Sequence, residues 1–252
     1  MQNSNLEVLF TPAEFAALKG RDLSQTVCVV IDALRATASM LTALANGATH
    51  IFPVKEIADA LAWKEKHPEA LLAGERDGVL IRSGLTGSVD FDLGNSPREF
   101  TVERVAGREI IITTTNGTRA LQACVGARTV LVCAALNLGA VARWIRLDRP
   151  PQVIVVCAGT YEEAAYEDTI VGGALCELLW AQFRPPQIAD SAAMARNLYL
   201  ASGGDFLKAV ENSKNARRLL ANEALRDDVE FSMARDVLNF TAELHGAAVE
   251  RI

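Results

Sequence analysis

Val27-Cys-Val-Val-Ile31, followed at once by Asp32-Ala-Leu-Arg35-Ala-Thr37, is the stretch on which the reading of this chain turns. Five apolar residues, mostly Val and Ile, stop abruptly at an aspartate. Such a run reads as a strand buried on both faces, the kind found in the parallel sheet of an α/β protein. Ligands bind outside the carboxyl ends of strands in these sheets, so Asp32 stands where a catalytic carboxylate is expected. The competing reading makes Asp32 the cap of the helix that follows, a role aspartate favours. The stretch alone does not choose between them.

On either side the same strand-turn-helix grammar repeats. Leu6 to Phe10 reads as a short strand, and Thr11-Pro12 with Glu14 starts a helix. Met40, Leu41 and Leu44 keep helical spacing up to Gly47, and Ile51 to Val54 is a strand. Glu56 to Lys66 is an amphipathic helix, and Ala70 to Ala73 is a strand running into Gly74-Glu75-Arg76, a second carboxylate and arginine at a strand end. Arg82 to Pro97 carries three glycines and little periodicity, so a long loop is expected, and loops of that length are often functional. Glu109 to Thr113 breaks into Thr114-Thr115-Asn116-Gly117-Thr118, then a helix to Val125 and a strand from Thr129 to Cys133. This unit loosely matches the first (strand, threonine-bearing turn, helix, Gly-Ala, strand), which points to shared architecture more than to duplication.

Asn137 begins a helix to about Ile145, and Val153 to Cys157 is a strand ending in Ala158-Gly159-Thr160. Glu162, Glu163, Glu167 and Asp168 then crowd ahead of the apolar helix Ile170 to Ala181, where acids suit the positive end of the dipole. Beyond Pro186 the spacing is helical with no convincing strand. The expected fold is therefore a layered α/β/α arrangement with a mixed, mostly parallel sheet. It forms a single domain over 1–252, divisible into two α/β halves (about 1–100 and 101–185) and a helical C-terminal segment, 186–252.

The chain has 252 residues, 50% of them hydrophobic and 22% charged, enough to bury a large core. Its net charge of -6 argues against nucleic acid as a partner, since a phosphate-tracking surface is basic. Met1 to Asn5 is polar, Leu6 to Phe10 is too short for a secretory h-region, and no apolar run reaches membrane-spanning length. All five cysteines lie in apolar stretches, as buried free thiols do in a reducing compartment, so a cytoplasmic location is expected.

Several standard chemistries are excluded by inspection. There is no phosphate loop and no dinucleotide fingerprint. His50, His67 and His245 lack metal-ligand spacing, and no motif supports a Ser-His-Asp triad. Asp32 has Leu34 rather than a second aspartate two positions on, and Cys157 has Glu163 rather than arginine six positions on, which removes two phosphatase signatures. What remains is Asp32, Glu75 and Asp168 at element boundaries, beside Arg35, Arg76 and Arg119. Magnesium is a hard cation that takes one or two carboxylates, waters and phosphate oxygens, and arginine binds phosphate, carboxylate or sulfonate bidentately. The turns Gly94-Asn95-Ser96-Pro97 and Thr114 to Thr118 each precede a helical stretch and could offer backbone N–H groups to an anion. For any single residue, capping or a solvated surface is the simpler explanation.

Taken together, Val-Ile-Asp32-Ala-Leu-Arg35-Ala-Thr37, Ala45-Asn46-Gly47-Ala48, Gly74-Glu75-Arg76, Phe91 to Pro97, Thr114 to Thr118, Cys157-Ala-Gly159, Glu167-Asp168 and Gly172-Gly173 resemble the 2-phosphosulfolactate phosphatase (ComB) family. Ala216-Arg217-Arg218-Leu219 and Asp228-Val229 extend the resemblance toward the end of the chain. It implies a Mg²⁺-dependent phosphatase that hydrolyses 2-phospho-3-sulfolactate to 3-sulfolactate and phosphate, on a layered α/β fold. Asp32, Glu75 and Asp168 would be the catalytic and metal-binding carboxylates. Arg35, Thr37, Arg76, Gly94, Asn95, Ser96, Thr115, Asn116, Gly117, Thr118 and Arg119 would hold the substrate. The partner expected is a small anionic phosphate, with no nucleic acid and no membrane, and a homo-oligomer is admitted. Left open are direct attack by water against phosphorylation of Asp32, a different 2-phospho-hydroxy acid as substrate, and a non-catalytic sensor of an anionic metabolite.

Overall fold

The computed structural model describes residues 5–252, so most of the polar opening Met1 to Asn5 lies outside the described residues. The chain runs β1 (Leu6–Leu9), α1 (Pro12–Ala16), β2 (Thr26–Ile31), α2 (Ala36–Ala45), β3 (His50–Pro53), α3 (Ile57–Lys66), β4 (Leu71–Arg76), β5 (Val79–Leu80), α4 (Ser83–Thr86), α5 (Val102–Val105) and β6 (Glu109–Thr113). It continues through α6 (Gly117–Ala123), β7 (Thr129–Cys133), α7 (Leu138–Asp148), β8 (Gln152–Cys157), α8 (Tyr166–Leu179), α9 (Asp190–Ala201), α10 (Phe206–Val210), α11 (Lys214–Leu220), α12 (Arg226–Met233), β9 (Ala242–His245) and β10 (Ala248–Arg251).

The strands form one mixed sheet in the order β1-β8-β2-β7-β9-β10-β3-β6-β4-β5. β1, β8, β2 and β7 pair in parallel, as do β3, β6 and β4. Between these groups sits the β9–β10 hairpin, antiparallel to β7 on one side and to β3 on the other. Three antiparallel steps separate β7 from β3, so the two parallel groups run in opposite senses. Each group draws strands from both 1–100 and 101–185, and the spatial division does not follow a cut near residue 100. The two strand-helix-strand units read in the sequence both form: β2-α2-β3 leads from the first group to the second, and β6-α6-β7 leads back.

Here the structure corrects one expectation. The C-terminal region contains helices α9 to α12, but it also contains β9 and β10, where no strand was expected. Ala-Glu-Leu-His and Ala-Val-Glu-Arg are short and rich in helix formers, and their extended state comes from completing a sheet whose inner edges are otherwise unpaired. The β10–β3 seam is thin, with Val249 opposite Ile51 as its register pair.

The central strands are buried on both faces, as the Val27 to Ile31 run requires. Cys28 and Val30 point into a core shared with α2 and α6, whereas Val27, Val29 and Ile31 point into a second core formed with α7 to α12. In the other group Ile110 and Ile112 join the first core, and Ile111 packs with Phe52, Leu72 and Ala60 of α3 in a third. This gives three layers, with helices on both faces of the sheet. All five cysteines are buried and free, and among the described residues no helix is long and apolar enough to cross a membrane.

Candidate active site

A cavity opens where the carboxyl ends of β2, β8, β4 and β6 converge, lined by Asp32, Arg35, Glu75, Asn95, Asn116 and Tyr161 among others, with Asn215 and Arg218 closing it from α11. Both parallel groups contribute, so the site exists only when they are joined.

Asp32 is fixed from its own turn. The Ala36 N–H donates to Oδ1 at 3.0 Å, and the Thr37 hydroxyl donates to the Asp32 carbonyl at 2.8 Å while accepting the Asp32 N–H. Capping and cavity roles thus coexist: one carboxylate oxygen is spent on the start of α2, and Oδ2 faces the first residue of α6. A Cβ at Gly117 would stand 2.6 Å from Oδ2, so only glycine lets the carboxylate lie there. Burial pushes the Asp32 pKa up to about 7. The Ala36 N–H opposes that rise, the charges of Glu75 and Glu167 add to it, and Arg35 opposes it.

Glu75 is held from the second group. Oε1 accepts the Thr115 N–H at 2.8 Å and its hydroxyl at 3.0 Å, and Oε2 accepts the Gly78 N–H at 2.6 Å. In the turn Thr114 to Thr118, the Thr115 donors thus go to Glu75, and the N–H groups of Thr114 and Thr118 go to each other's hydroxyls. Asn116 donates to the carbonyls of Ala158 and Tyr161, tying the β6 and β8 ends together.

Arg35 is almost fully buried, and the peptide preceding it is cis. Its Nη1 lies 2.6 Å from Asp228 on α12, and Asp228 also accepts from Ser96 Oγ (2.7 Å) and Arg98 Nε (2.8 Å). Ser96 thus anchors a positioning network beside the cavity. The loop carbonyl of Asn95 is held by Ser39, and the buried Asn95 Oδ1 has no hydrogen-bond partner. Gly94 gives its N–H to Glu99.

Eight residues expected at the site do not line the cavity: Thr37, Gly94, Ser96, Gly117 and Thr118 lie in the turns that support its walls, and Asp168, Arg76 and Arg119 are engaged elsewhere. Asp168 accepts the N–H of Ala33 at 2.8 Å and of Gly159 at 3.0 Å, bracing the ends of β2 and β8 against each other. Burial, with Asp32 and Glu167 adding to it, holds its pKa well above the ordinary carboxylate range. Arg76 turns to the carbonyls of Glu75 and Lys55 and to Thr113, and the half-exposed Arg119 pairs with Glu162. Among the described residues, no three His, Cys, Asp or Glu side chains are grouped so as to hold a metal by themselves.

Other site residues were not singled out from the sequence. Asp77, Tyr161, Asn215 and Arg218 line the cavity, and both Asp77 and Tyr161 have positive φ (55°), a conformation non-glycine residues adopt mostly at turns and functional sites. Asn215 donates to the Leu34 carbonyl and to Glu167, whose other oxygen accepts from Ser213 at 2.5 Å. The available signals were the Asp77-Gly78 turn pair beside Glu75 and the presence of Arg218 and Asp228 within the late family-like stretches.

Comparison with known proteins bears on this site. The model of the family described as 2-phosphosulpholactate phosphatase matches residues 14–246. A Symbiobacterium thermophilum protein named probable 2-phosphosulfolactate phosphatase is 38% identical, covering 83% of this chain and 87% of its own length. Proteins of the same name from Caldanaerobacter subterraneus subsp. tengcongensis and Gloeobacter violaceus are 34% and 38% identical, covering 96% and 84% of this chain and 97% and 85% of their own lengths. With a match from β2 to β9 that includes every residue lining the cavity, the chain belongs to the 2-phosphosulpholactate phosphatase family of phosphoric monoester hydrolases.

Proposed function

We propose that the cavity hydrolyses 2-phospho-3-sulfolactate to 3-sulfolactate and phosphate with Mg²⁺ as cofactor, a step toward coenzyme M or sulfolactate. The observation that carries this reading is the juxtaposition of two carboxylates, Asp32 and Glu75, with two guanidinium groups, Arg35 and Arg218, around one cavity. A substrate bearing phosphate, carboxylate and sulfonate calls for several cationic contacts, which the two guanidinium groups and the metal would share, and family membership supplies the substrate class.

The donor set fits magnesium. Asp32 Oδ2, Glu75 and the unpartnered Asn95 Oδ1 are hard oxygen ligands, and two carboxylates with substrate and water suffice for this ion. When bound, Mg²⁺ would neutralise the charge carried by the non-bridging phosphate oxygens while the ester oxygen of sulfolactate departs. The protein's own part is positional. Arg35, fixed by Asp228, presents a rigid cation beside Asp32, and the Thr115 and Gly78 N–H groups hold Glu75 from the opposite wall. Asp168 keeps the β2 and β8 ends in register from behind. Phosphoryl transfer depends mainly on such positioning and electrostatic stabilisation. A cytoplasmic location belongs to the same reading, supported by five buried free thiols.

A panel of 2-phospho-3-sulfolactate, 2-phospholactate and phosphoglycolate with phosphate detection tests the proposal. Preference for the sulfonated ester supports it, and turnover that ignores the sulfonate counts against it.

A further inference from the structure

The two cavity arginines differ in one respect that bears on specificity. Arg35 is buried and neutralised by Asp228. Arg218, exposed at the mouth, forms no ion pair with a carboxylate among the described residues. Its guanidinium donates from Nη1 to the Tyr161 hydroxyl at 3.5 Å. That hydroxyl donates to Asp77 at 3.0 Å, and Asp77 and Tyr161 are the two non-glycine residues of the cavity lining with left-handed backbone. Two turns are thus held in uncommon conformations to build the wall against which Arg218 rests.

Gly78 separates the two cations. The Arg35 guanidinium lies 3.5 Å from the Gly78 carbonyl, and Arg218 Nη2 lies 2.8 Å from where a Gly78 Cβ would be. Two guanidinium groups flanking a single residue match a small molecule whose anionic groups sit on neighbouring carbons. Within the proposed substrate, the sulfonate sulfur is one bond further from the phosphate-bearing carbon than the carboxylate carbon is. With the phosphate at the deep end beside Asp32 and Arg35, the group reaching furthest toward the mouth is the sulfonate.

We propose that Arg218, seated between Gly78 and Tyr161 at the cavity mouth, is the specificity-determining cation that binds the sulfonate of the substrate. This rests on the proposed substrate class but not on turnover. Arg218 lies on the exposed face of α11, so its replacement leaves the fold intact.

The test is calorimetric titration of the full chain, in Mg²⁺, with 3-sulfolactate and with lactate, which keeps the carboxylate and lacks the sulfonate. Wild type binds 3-sulfolactate about 10- to 100-fold tighter than lactate, the range of one charge-assisted bidentate contact. Arg218→Gln removes that preference and leaves lactate affinity unchanged, and Arg218→Lys retains part of it. A sulfonate preference that survives in Arg218→Gln, an equal loss for both ligands, or no preference in wild type overturns the proposal. Phosphate release from 2-phospho-3-sulfolactate is measured on the same samples. A wild type that shows the Arg218-dependent preference but releases no phosphate refutes the hydrolytic reading and upholds the subsite.

Discussion

Arg35 and Asp228, separated by 193 residues of sequence, meet at 2.6 Å with both side chains withdrawn from water. The pair ties the β2–α2 turn, which carries Asp32, to α12 near the end of the chain. Replacing Asp228 with alanine strands a buried guanidinium together with Ser96 and Arg98. Removing one partner of a buried pair typically costs about 3–5 kcal/mol. Denaturant unfolding of Asp228→Ala is expected to show a loss of that size. Asp228→Asn, which keeps the hydrogen-bond acceptor, is expected to lose less stability and to raise KM more than it lowers kcat.

The raised pKa of Asp32 makes a prediction about metal-free protein. Its folded value of about 7 lies above the unfolded value of about 3.9, so the native state holds the proton more tightly. The associated stability is fully present below about pH 4 and is lost as pH rises through 7. In EDTA, unfolding of wild type should lose on the order of 4 kcal/mol from this group between those limits. Asp32→Asn should remove the Asp32 share of the pH dependence, leaving that of the buried Asp168 carboxyl, and be the more stable protein at pH 8. Added Mg²⁺ should stabilise wild type more at pH 8 than at pH 5.

Arginines of similar appearance in the sequence are expected to behave differently. Arg119 pairs with exposed Glu162 away from the cavity, so Arg119→Ala should keep kcat/KM within about threefold of wild type, as for an exposed ion pair. Arg35→Ala should lower it by about 100-fold or more, the scale of a lost charge-assisted contact at a reacting phosphate. Steady-state kinetics on 2-phospho-3-sulfolactate separates the two, and comparable losses would place Arg119 in the site after all.

The β9–β10 hairpin should be indispensable to both parallel groups. Val249 is fully buried opposite Ile51, and an aspartate there introduces an unpaired charge between the groups. Val249→Asp is expected to cost more than about 4 kcal/mol and to abolish cooperative unfolding followed by circular dichroism.

These predictions divide along what the sequence could carry. Val27 to Ile31 was legible because a strand buried on both faces needs an unbroken apolar run, and its end located Asp32. Glu75 was legible for the same reason at the end of β4. β9 and β10 were not, because their extended state is imposed by neighbours 100 to 200 residues away and their local composition favours helix. Asp168 read equally well as a helix-start acid or a ligand, and only the distance to the Ala33 and Gly159 N–H groups shows it bracing two strand ends. Arg218 stood in the sequence only as part of the family-like stretch Ala216-Arg217-Arg218-Leu219, with no role, since nothing local reveals that α11 closes the cavity.

The most direct test is Mg²⁺-dependent phosphate release from 2-phospho-3-sulfolactate by wild type and Asp32→Asn, with circular dichroism to verify folding. Wild type should turn over with Mg²⁺ and stop in EDTA, and folded Asp32→Asn should release no phosphate above background at any Mg²⁺ concentration. Wild-type turnover by Asp32→Asn, or full wild-type activity in EDTA, would contradict a magnesium-dependent site built on Asp32.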